Sequence, residues 1–355
     1  MHSSAEFFRR LTICVKGLDC RATAGQNQHF MTHPVQDSVP VPRVPEQSAM
    51  FKVAILLGTH QGEEFLAQQL DSIGTQTYRD WGLYVSDDRS SDRTLEILGA
   101  YRRQWGDERL NVRLGPRQGF RANFLSLVCA TDINARHYAF ADQDDVWDQD
   151  KLATAVSWLE RVPTDIPALY CGRTRLIDRA GKGVGFSPLF RRPVSFRNAL
   201  VQSVAGGNTM VFNAAARALI VEAGSDVDVQ THDWWVYILV TGCGGSVFYD
   251  SRPTVGYRQH ASNLVGSNAS LGGRIQRAAR LLAGRFRTMN SRNIAALGRV
   301  RHRVTPENLA VLEQFERARN LGFPERVQGV LRSGVYCHTR LGNLGLAAAA
   351  VLKKF

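Results

Sequence analysis

The chain has 355 residues, 44% apolar and 21% charged, which is ordinary globular composition and enough for one large or two modest domains. Its net charge of +12 is confined to one end: residues 272–355 hold 16 Arg and Lys against 4 Asp and Glu, while residues 1–271 are balanced at 28 and 28. A basic nucleic-acid enzyme would carry positive charge around its chemistry too, and no run reaches the ~20 apolar residues needed to cross a bilayer, so neither class is favoured.

The opening MHSSAEFFRRLTICVKG flanks only a short apolar stretch with Arg and Lys and makes a poor signal peptide. Residues 32–49 hold four prolines without periodicity, so 1–49 reads as a disordered or linker segment with Met50 as the effective start of the fold. The six cysteines, Cys14, Cys20, Cys129, Cys171, Cys243 and Cys337, form no CxxC pair, which argues against zinc and for reduced thiols of a cytosolic protein.

From residue 51 the pattern alternates. Residues 52–58 (KVAILLG) form a continuous apolar run, as in a strand buried on both faces, and 63–73 place Phe65, Leu66, Leu70 and Ile73 at helical spacing. A second strand is predicted at 81–86 and a helix at 91–101 with Ser91 as N-cap. A short strand at 111–114, a helix at 122–130, a strand at 137–141 and a helix near 150–161 follow. Beyond 165 the pattern predicts strands at 168–171 and 245–249 and helices near 213–223 and 233–240. From Gly272 the chain reads as helical and Arg-rich. Strands alternating with helices imply an α/β fold with a mostly parallel, Rossmann-like sheet flanked by helices, whose ligands bind at the carboxyl ends of the strands. Three polar clusters fall at such ends: 59–61, Asp87 with Asp88, and 142–145.

Asp142, Asp144 and Asp145 put three carboxylates within four residues. Like charges this close suit either a solvated helix-capping turn or a divalent cation, and oxygen ligands favour Mg²⁺ or Mn²⁺ shared with substrate phosphates. Asp88, in SDDRSSD, suits hydrogen bonds from a ribose or a base N–H, or equally a capping turn.

The stretches ILLGTHQGEEFLAQQLDSIGTQTYRDWGLYVSDDRSSDRTLEIL, FADQDDVWDQDKL, THDWWVYILVTGCGGSVFYD and YRQHASNLVG together resemble family 2 glycosyltransferases, notably the bacterial rhamnosyltransferase-like members that build surface polysaccharides. The resemblance spans about residues 51–266 and implies a glycosyltransferase A-type fold: a nucleotide-sugar-binding half at 50–165, an acceptor-binding half at 166–271 and a basic helical extension at 272–355. It implies that Thr59 contacts the base, Asp88 the base or ribose, and Asp142 the ribose and metal. Asp144 would ligate the metal that bridges the diphosphate, with His260 beside phosphate or metal. Asp233 would be the general base, and Asn208 in Gly206-Gly207-Asn208 would lie on the acceptor side. Trp234 and Trp235 would line the sugar site or belong to the core. His60-Gln61 departs from the family's usual Tyr-Asn, and Arg89 from its usual Gly.

The implied reaction is an inverting displacement by the acceptor oxygen, with Asp233 removing its proton, Mg²⁺ or Mn²⁺ offsetting charge on the leaving diphosphate, and no carboxylate nucleophile. The best match of donor is dTDP-rhamnose, with a saccharide or lipid-linked acceptor. In residues 274–289, Ile275, Ala278, Ala279, Leu282, Phe286 and Met289 share one helical face, and Arg274, Arg277, Arg280, Arg285 and Arg287 lie opposite. Such a helix either lies on an anionic membrane surface, here the cytoplasmic face of the bacterial inner membrane, or packs on the catalytic domain. Rival readings are a non-catalytic nucleotide-sugar-binding relative and, without aromatic residues interleaved among the arginines, a nucleic-acid-binding protein.

Overall fold

The computed structural model describes residues 51–260 and 285–354. The expectations for 1–49, and for all but the end of the 274–289 helix, lie outside the described residues.

The first half runs β1 (Val53–Thr59), α1 (Leu66–Gly74), β2 (Trp81–Asp87), α2 (Thr94–Trp105), β3 (Leu110–Leu114), α3 (Phe120–Val128), β4 (His137–Asp142), β5 (Val146–Trp147) and α4 (Lys151–Leu159). The second runs β6 (Ala168–Gly172), β7 (Arg175–Ile177), β8 (Gly183–Phe186), α5 (Phe196–Ala199), a 3₁₀ turn at Gly207–Thr209, β9 (Val211–Asn213), α6 (Ala214–Ala223), α7 (His232–Gly242), β10 (Ser246–Asp250) and β11 (Val255–Arg258). The described residues from 285 on form α8 (Arg285–Leu297), a 3₁₀ segment at Gly298–Arg303, α9 (Pro306–Asn320), α10 (Glu325–Ser333) and α11 (Arg340–Val351).

Seven strands form one sheet in the order β10-β6-β9-β4-β1-β2-β3, parallel except for β9, which runs against both β4 and β6. Strands from before and after residue 165 therefore share this sheet. A second, four-stranded sheet has the order β5-β11-β7-β8. The apolar runs explain the sheet's interior. Ala54 and Leu56 of β1, Tyr138 and Phe140 of β4, and Leu169 and Cys171 of β6 join one core cluster. The alternate residues Val53, Ile55, Leu57, Ala139, Ala141, Ala168 and Tyr170 join the other. Period-two alternation with both faces covered leaves no polar positions, hence the continuous hydrophobic strands.

The basic C-terminal helices pack on the first of these clusters through Leu297, Leu312, Phe315, Val330, Leu346 and Ala350. Phe286 and Met289, from the described end of the proposed amphipathic stripe, pack there too. Several arginines of this region hold structure together: Arg299 pairs with Asp226, Arg301 with Glu313 and Glu316, and the buried Arg326 donates to the carbonyls of Leu321, Ala350 and Val351. Arg326 thus closes the carboxyl ends of two helices, where the dipoles favour a cation. No helix among the described residues is long and apolar enough to cross a membrane.

One capping expectation fails. Helix α2 begins at Thr94, and Ser91 does not cap it. Asp92 does the local work, accepting from the Thr94 N–H at 3.0 Å and the Glu63 N–H at 3.0 Å, while Ser91 exchanges hydrogen bonds with Gln61.

Candidate active site

The parallel register brings the polar clusters together. Thr59 pairs with Asp87 across β1 and β2, and Gly58 pairs with Asp142 across β1 and β4. The three clusters therefore end on one edge of the sheet, where strand carboxyl ends leave room for a ligand.

The structure divides the residues of these clusters between the edge and a layer behind it. Asp87 is fully buried and accepts from the Thr59 hydroxyl at 2.8 Å, the Ser90 N–H at 2.8 Å and the Ser90 hydroxyl at 2.6 Å. Thr59, expected to contact the base, is 2% exposed and its hydroxyl donates to Asp87. Asp88 points the other way and accepts the Arg117 and Gly119 N–H groups, clamping the loop between β3 and α3. Gln143 spans His60, donating to its carbonyl at 2.9 Å and accepting its N–H at 2.8 Å. Gly62 passes so close that a Cβ there would sit 2.5 Å from Gln143 Oε1, which is why this position is glycine.

In the acidic cluster the three carboxylates have separated environments. Asp145 is fully buried and accepts from the Asn208 amide and, at 3.2 Å, from the Arg258 N–H. Burial, then the charges of Asp142 and Asp144, push its carboxyl well above the usual range. Lys151, also fully buried, lies with its ammonium 3.6 Å from the Trp147 ring centroid, and burial lowers it to about 7. Asn208, expected on the acceptor side, is 3% exposed with its amide turned to Asp145, so it braces the cluster from behind. Arg258, fully buried, donates through Nε to the Asp144 carbonyl at 2.9 Å and through a terminal nitrogen to Gln68 at 2.7 Å, and stacks over Phe65 at 4.5 Å. It fixes the backbone of the acid whose side chain faces outward. Its place as the arginine of YRQH, at the end of an apolar strand, was the available sign of it.

Asp144 Oδ2 lies 2.7 Å from His260 Nε2. Burial, then the like charges of Asp144 and Asp233, raise the Asp142 carboxyl above its usual range. Asp142 therefore lies within reach of the charges of both Asp144 and Asp233. Of the expected metal set Asp142, Asp144 and His260, only Asp144 and His260 are in contact, and among the described residues no three His, Cys, Asp or Glu side chains close around a single ion position. The donors available are one carboxylate and one imidazole in contact, set in a field of like charge that a cation would relieve. That suits an ion completed by ligand oxygens, not one caged by protein.

Asp233 sits in the first turn of α7, where it accepts the Gly207 N–H at 3.2 Å and its neighbour Trp234's N–H at 2.7 Å. Every other residue of α7 is buried. Trp235 is fully buried, and Trp234, 5% exposed, donates its indole N–H to Ala199 at 2.7 Å, so both rings belong to the core, one of the two expectations for them. Beyond Asp233 the helix is apolar on every face because it is enclosed on every face, which its composition did not distinguish from a lined pocket. Beside Asp233 the sequence reading missed His232. Its ring stacks on Phe124 with centroids 4.1 Å apart and meets Phe140 edge-on at 4.7 Å, and neither ring nitrogen has a hydrogen-bond partner. A Cβ on Gly207 would lie 2.6 Å from His232 Nε2, so glycine lets the backbone reach both residues.

This is the architecture of a glycosyltransferase A-type enzyme: a nucleotide-binding parallel sheet with acids at its strand ends and a further acid on a helix across from them. The comparisons agree. The family model "Glycosyl transferase family 2" matches residues 54–211. The chain is 28% identical over 235 residues to the dTDP-rhamnosyl transferase RfbG of Shigella flexneri, covering 62% of this chain and 77% of that one. It is 28% identical over 114 residues, 31% of this chain and 41% of the other, to the Escherichia coli UDP-Glc:alpha-D-GlcNAc-diphosphoundecaprenol beta-1,3-glucosyltransferase WfgD. Its fold is similar to that of S. aureus TarS residues 1–349 in complex with UDP-GlcNAc, with a TM-score of 0.51 at 15% identity over 85% of this chain and 89% of that one. Residues 54–211 thus match glycosyltransferase family 2, and the chain is similar to a rhamnosyltransferase of that kind.

Proposed function

We propose that the chain is an inverting, metal-dependent glycosyltransferase that moves rhamnose from dTDP-rhamnose onto a saccharide or lipid-linked acceptor in bacterial surface-polysaccharide synthesis. The observation that carries this reading is Asp233: the one residue of α7 that is not buried is an acid, held by the Gly207 N–H, whose charge is felt at Asp142. A single carboxylate facing a donor-binding cluster suits one base and one displacement. The rhamnose donor is supported by the name of the Shigella relative.

In this reading the donor's nucleoside lies against the loops after β1 and β2, shaped from behind by Thr59 and Asp87 and closed by the Asp88 clamp. Asp142 lies beside the ribose. Asp144 and His260 would hold Mg²⁺ or Mn²⁺ together with diphosphate oxygens, and the cation when bound would offset charge on the leaving group. Asp233 takes the proton from the acceptor hydroxyl as that oxygen attacks the anomeric carbon from the opposite face. Asn208, Asp145 and Arg258 keep the acids in place, and Trp234 and Trp235 anchor α7. The division into a donor half at 50–165, an acceptor half at 166–271 and a basic region from 272 is part of the proposal. So is a peripheral position on the cytoplasmic face of the inner membrane, supported by the confinement of net positive charge to residues 272–355.

The test is release of nucleoside diphosphate from dTDP-rhamnose with and without acceptor. Asp233→Asn should bind donor as the native protein does and lose transfer by ~10²–10⁴-fold, since an amide cannot accept the proton. Near-normal turnover in that variant would eliminate Asp233 as the base.

A further inference from the structure

We propose that the outward face of α11 is a docking surface for an anionic lipid interface. This rests on the peripheral membrane placement proposed above and assigns it to an element other than the 274–289 helix. The inner face of α11 is spent on the core: Leu346, Ala349 and Ala350 are 5%, 0% and 1% exposed. The outer face is aliphatic. Leu341 is 64% exposed, Leu344 66% and Leu352, just past the helix end, 48%, with Ala348 exposed between them. Steps of three and four residues stack these four side chains in one stripe along the helix.

Polarity is arranged around this stripe, not within it. Between Arg340 and Lys353 the sole polar side chain is Asn343, which is occupied with the backbone of Cys337 and Thr339. Cations bracket the stripe, the exposed Arg340 at one end and the exposed Lys353 with the half-buried Lys354 at the other, and no acidic residue follows Glu325. An aliphatic strip with a cation at each end matches a bilayer surface whose acyl chains lie beneath anionic headgroups. The same charges select against the other occupants. A second copy meeting the stripe across a two-fold axis would bring two sets of cations together. Residues 261–284 carry three arginines and no acid, and would meet the same repulsion. An anionic lipid surface turns the bracketing charges into an attraction.

The experiment is co-sedimentation of the full chain with vesicles of phosphatidylglycerol in phosphatidylcholine, and of phosphatidylcholine alone, over a range of salt. Two variants accompany it: Leu341→Gln with Leu344→Gln and Leu352→Gln, and Arg340→Gln with Lys353→Gln and Lys354→Gln. All six side chains are at the surface, so thermal midpoints should match the native protein. The native chain should bind the anionic vesicles and not the neutral ones. The charge variant should lose about fivefold in partitioning per cation removed at low salt, and little at high salt. The leucine variant should lose at least about tenfold at every salt concentration, because apolar burial is unscreened. Equal binding to both vesicle types, native binding by the leucine variant, or a concentration-dependent dimer that the leucine variant abolishes without any vesicle binding each overturns the assignment. Nucleoside diphosphate release from dTDP-rhamnose measured without lipid separates the two readings. Release without vesicle binding removes the docking surface alone, and vesicle binding without release leaves the docking surface and removes dTDP-rhamnose as the donor.

Discussion

His232 is buried between Phe124 and Phe140 beside the acid proposed as the base, and burial lowers its imidazole to about 4. An imidazole neutral in the fold and protonated when unfolded costs stability as pH falls. The loss runs from its ordinary value of 6.5 down to about 4, because there the unfolded chain binds more protons. His137 and His338 are lowered to about 4 as well and contribute in the same direction, while the raised carboxyls of Asp142 and Asp145 act oppositely. His232→Phe keeps the stacked ring and removes one of these groups. Its unfolding free energy between pH 6.5 and 4.5, from urea titrations, should depend on pH less steeply by about one proton, ~1.4 kcal/mol per pH unit. An unchanged slope would mean that His232 is already solvated or hydrogen-bonded in solution.

At the scale of elements, the loops that follow β1, β2 and β3 each contain a non-glycine residue in the left-handed region: Gln61 at φ 50°, Arg89 at φ 65° and Arg117 at φ 61°. The loops are held there by side chain to backbone bonds, Ser90 to the Gln61 N–H, Asp87 to the Ser90 N–H and Asp88 to the Arg117 N–H. Arg89 is where the family resemblance expects glycine, and its φ gives the reason, since a residue with a Cβ is disfavoured there by about 1 kcal/mol. Arg89→Gly should therefore raise the midpoint of denaturant unfolding by the equivalent of about 1 kcal/mol without changing the slope, whereas Arg89→Ala should not. A gain in both variants, or in neither, would show that the backbone at this position is not the source of strain.

On the scale of the whole molecule, the proposed donor site draws on β1, β2, β4 and the end of β11, so ligand held there ties separate parts of both sheets. A ligand that binds only the folded chain stabilises it by about 2.7 kcal/mol at a hundredfold excess over Kd. We expect dTDP with Mn²⁺ to raise the thermal midpoint more than either alone, and Asp144→Ala to abolish the metal-dependent part. A shift in that variant that still requires the cation would remove Asp144 as its ligand.

The sequence by itself determined the parallel sheet and the edge that carries the chemistry. Strands β1, β2 and β4 are legible because burial on both faces demands unbroken apolar runs, and acids just beyond such runs must lie at one edge. It also marked Asp233, an acid at the start of an apolar helix. What it left open were distinctions between like residues. Asp142, Asp144 and Asp145 are equivalent on paper, and only the pairing of β11 with its neighbours and the turn at Asn208 send Asp145 inward while Asp144 meets His260. Trp234 and Trp235 read equally as core or as sugar platform until α7 proved enclosed on every side. The small sheet was illegible for the same reason: β5 and β7 have two and three residues, and β8 is exposed throughout, so none carries a period long enough to read. Those choices depend on partners far away in the chain, and partners are a property of the tertiary structure.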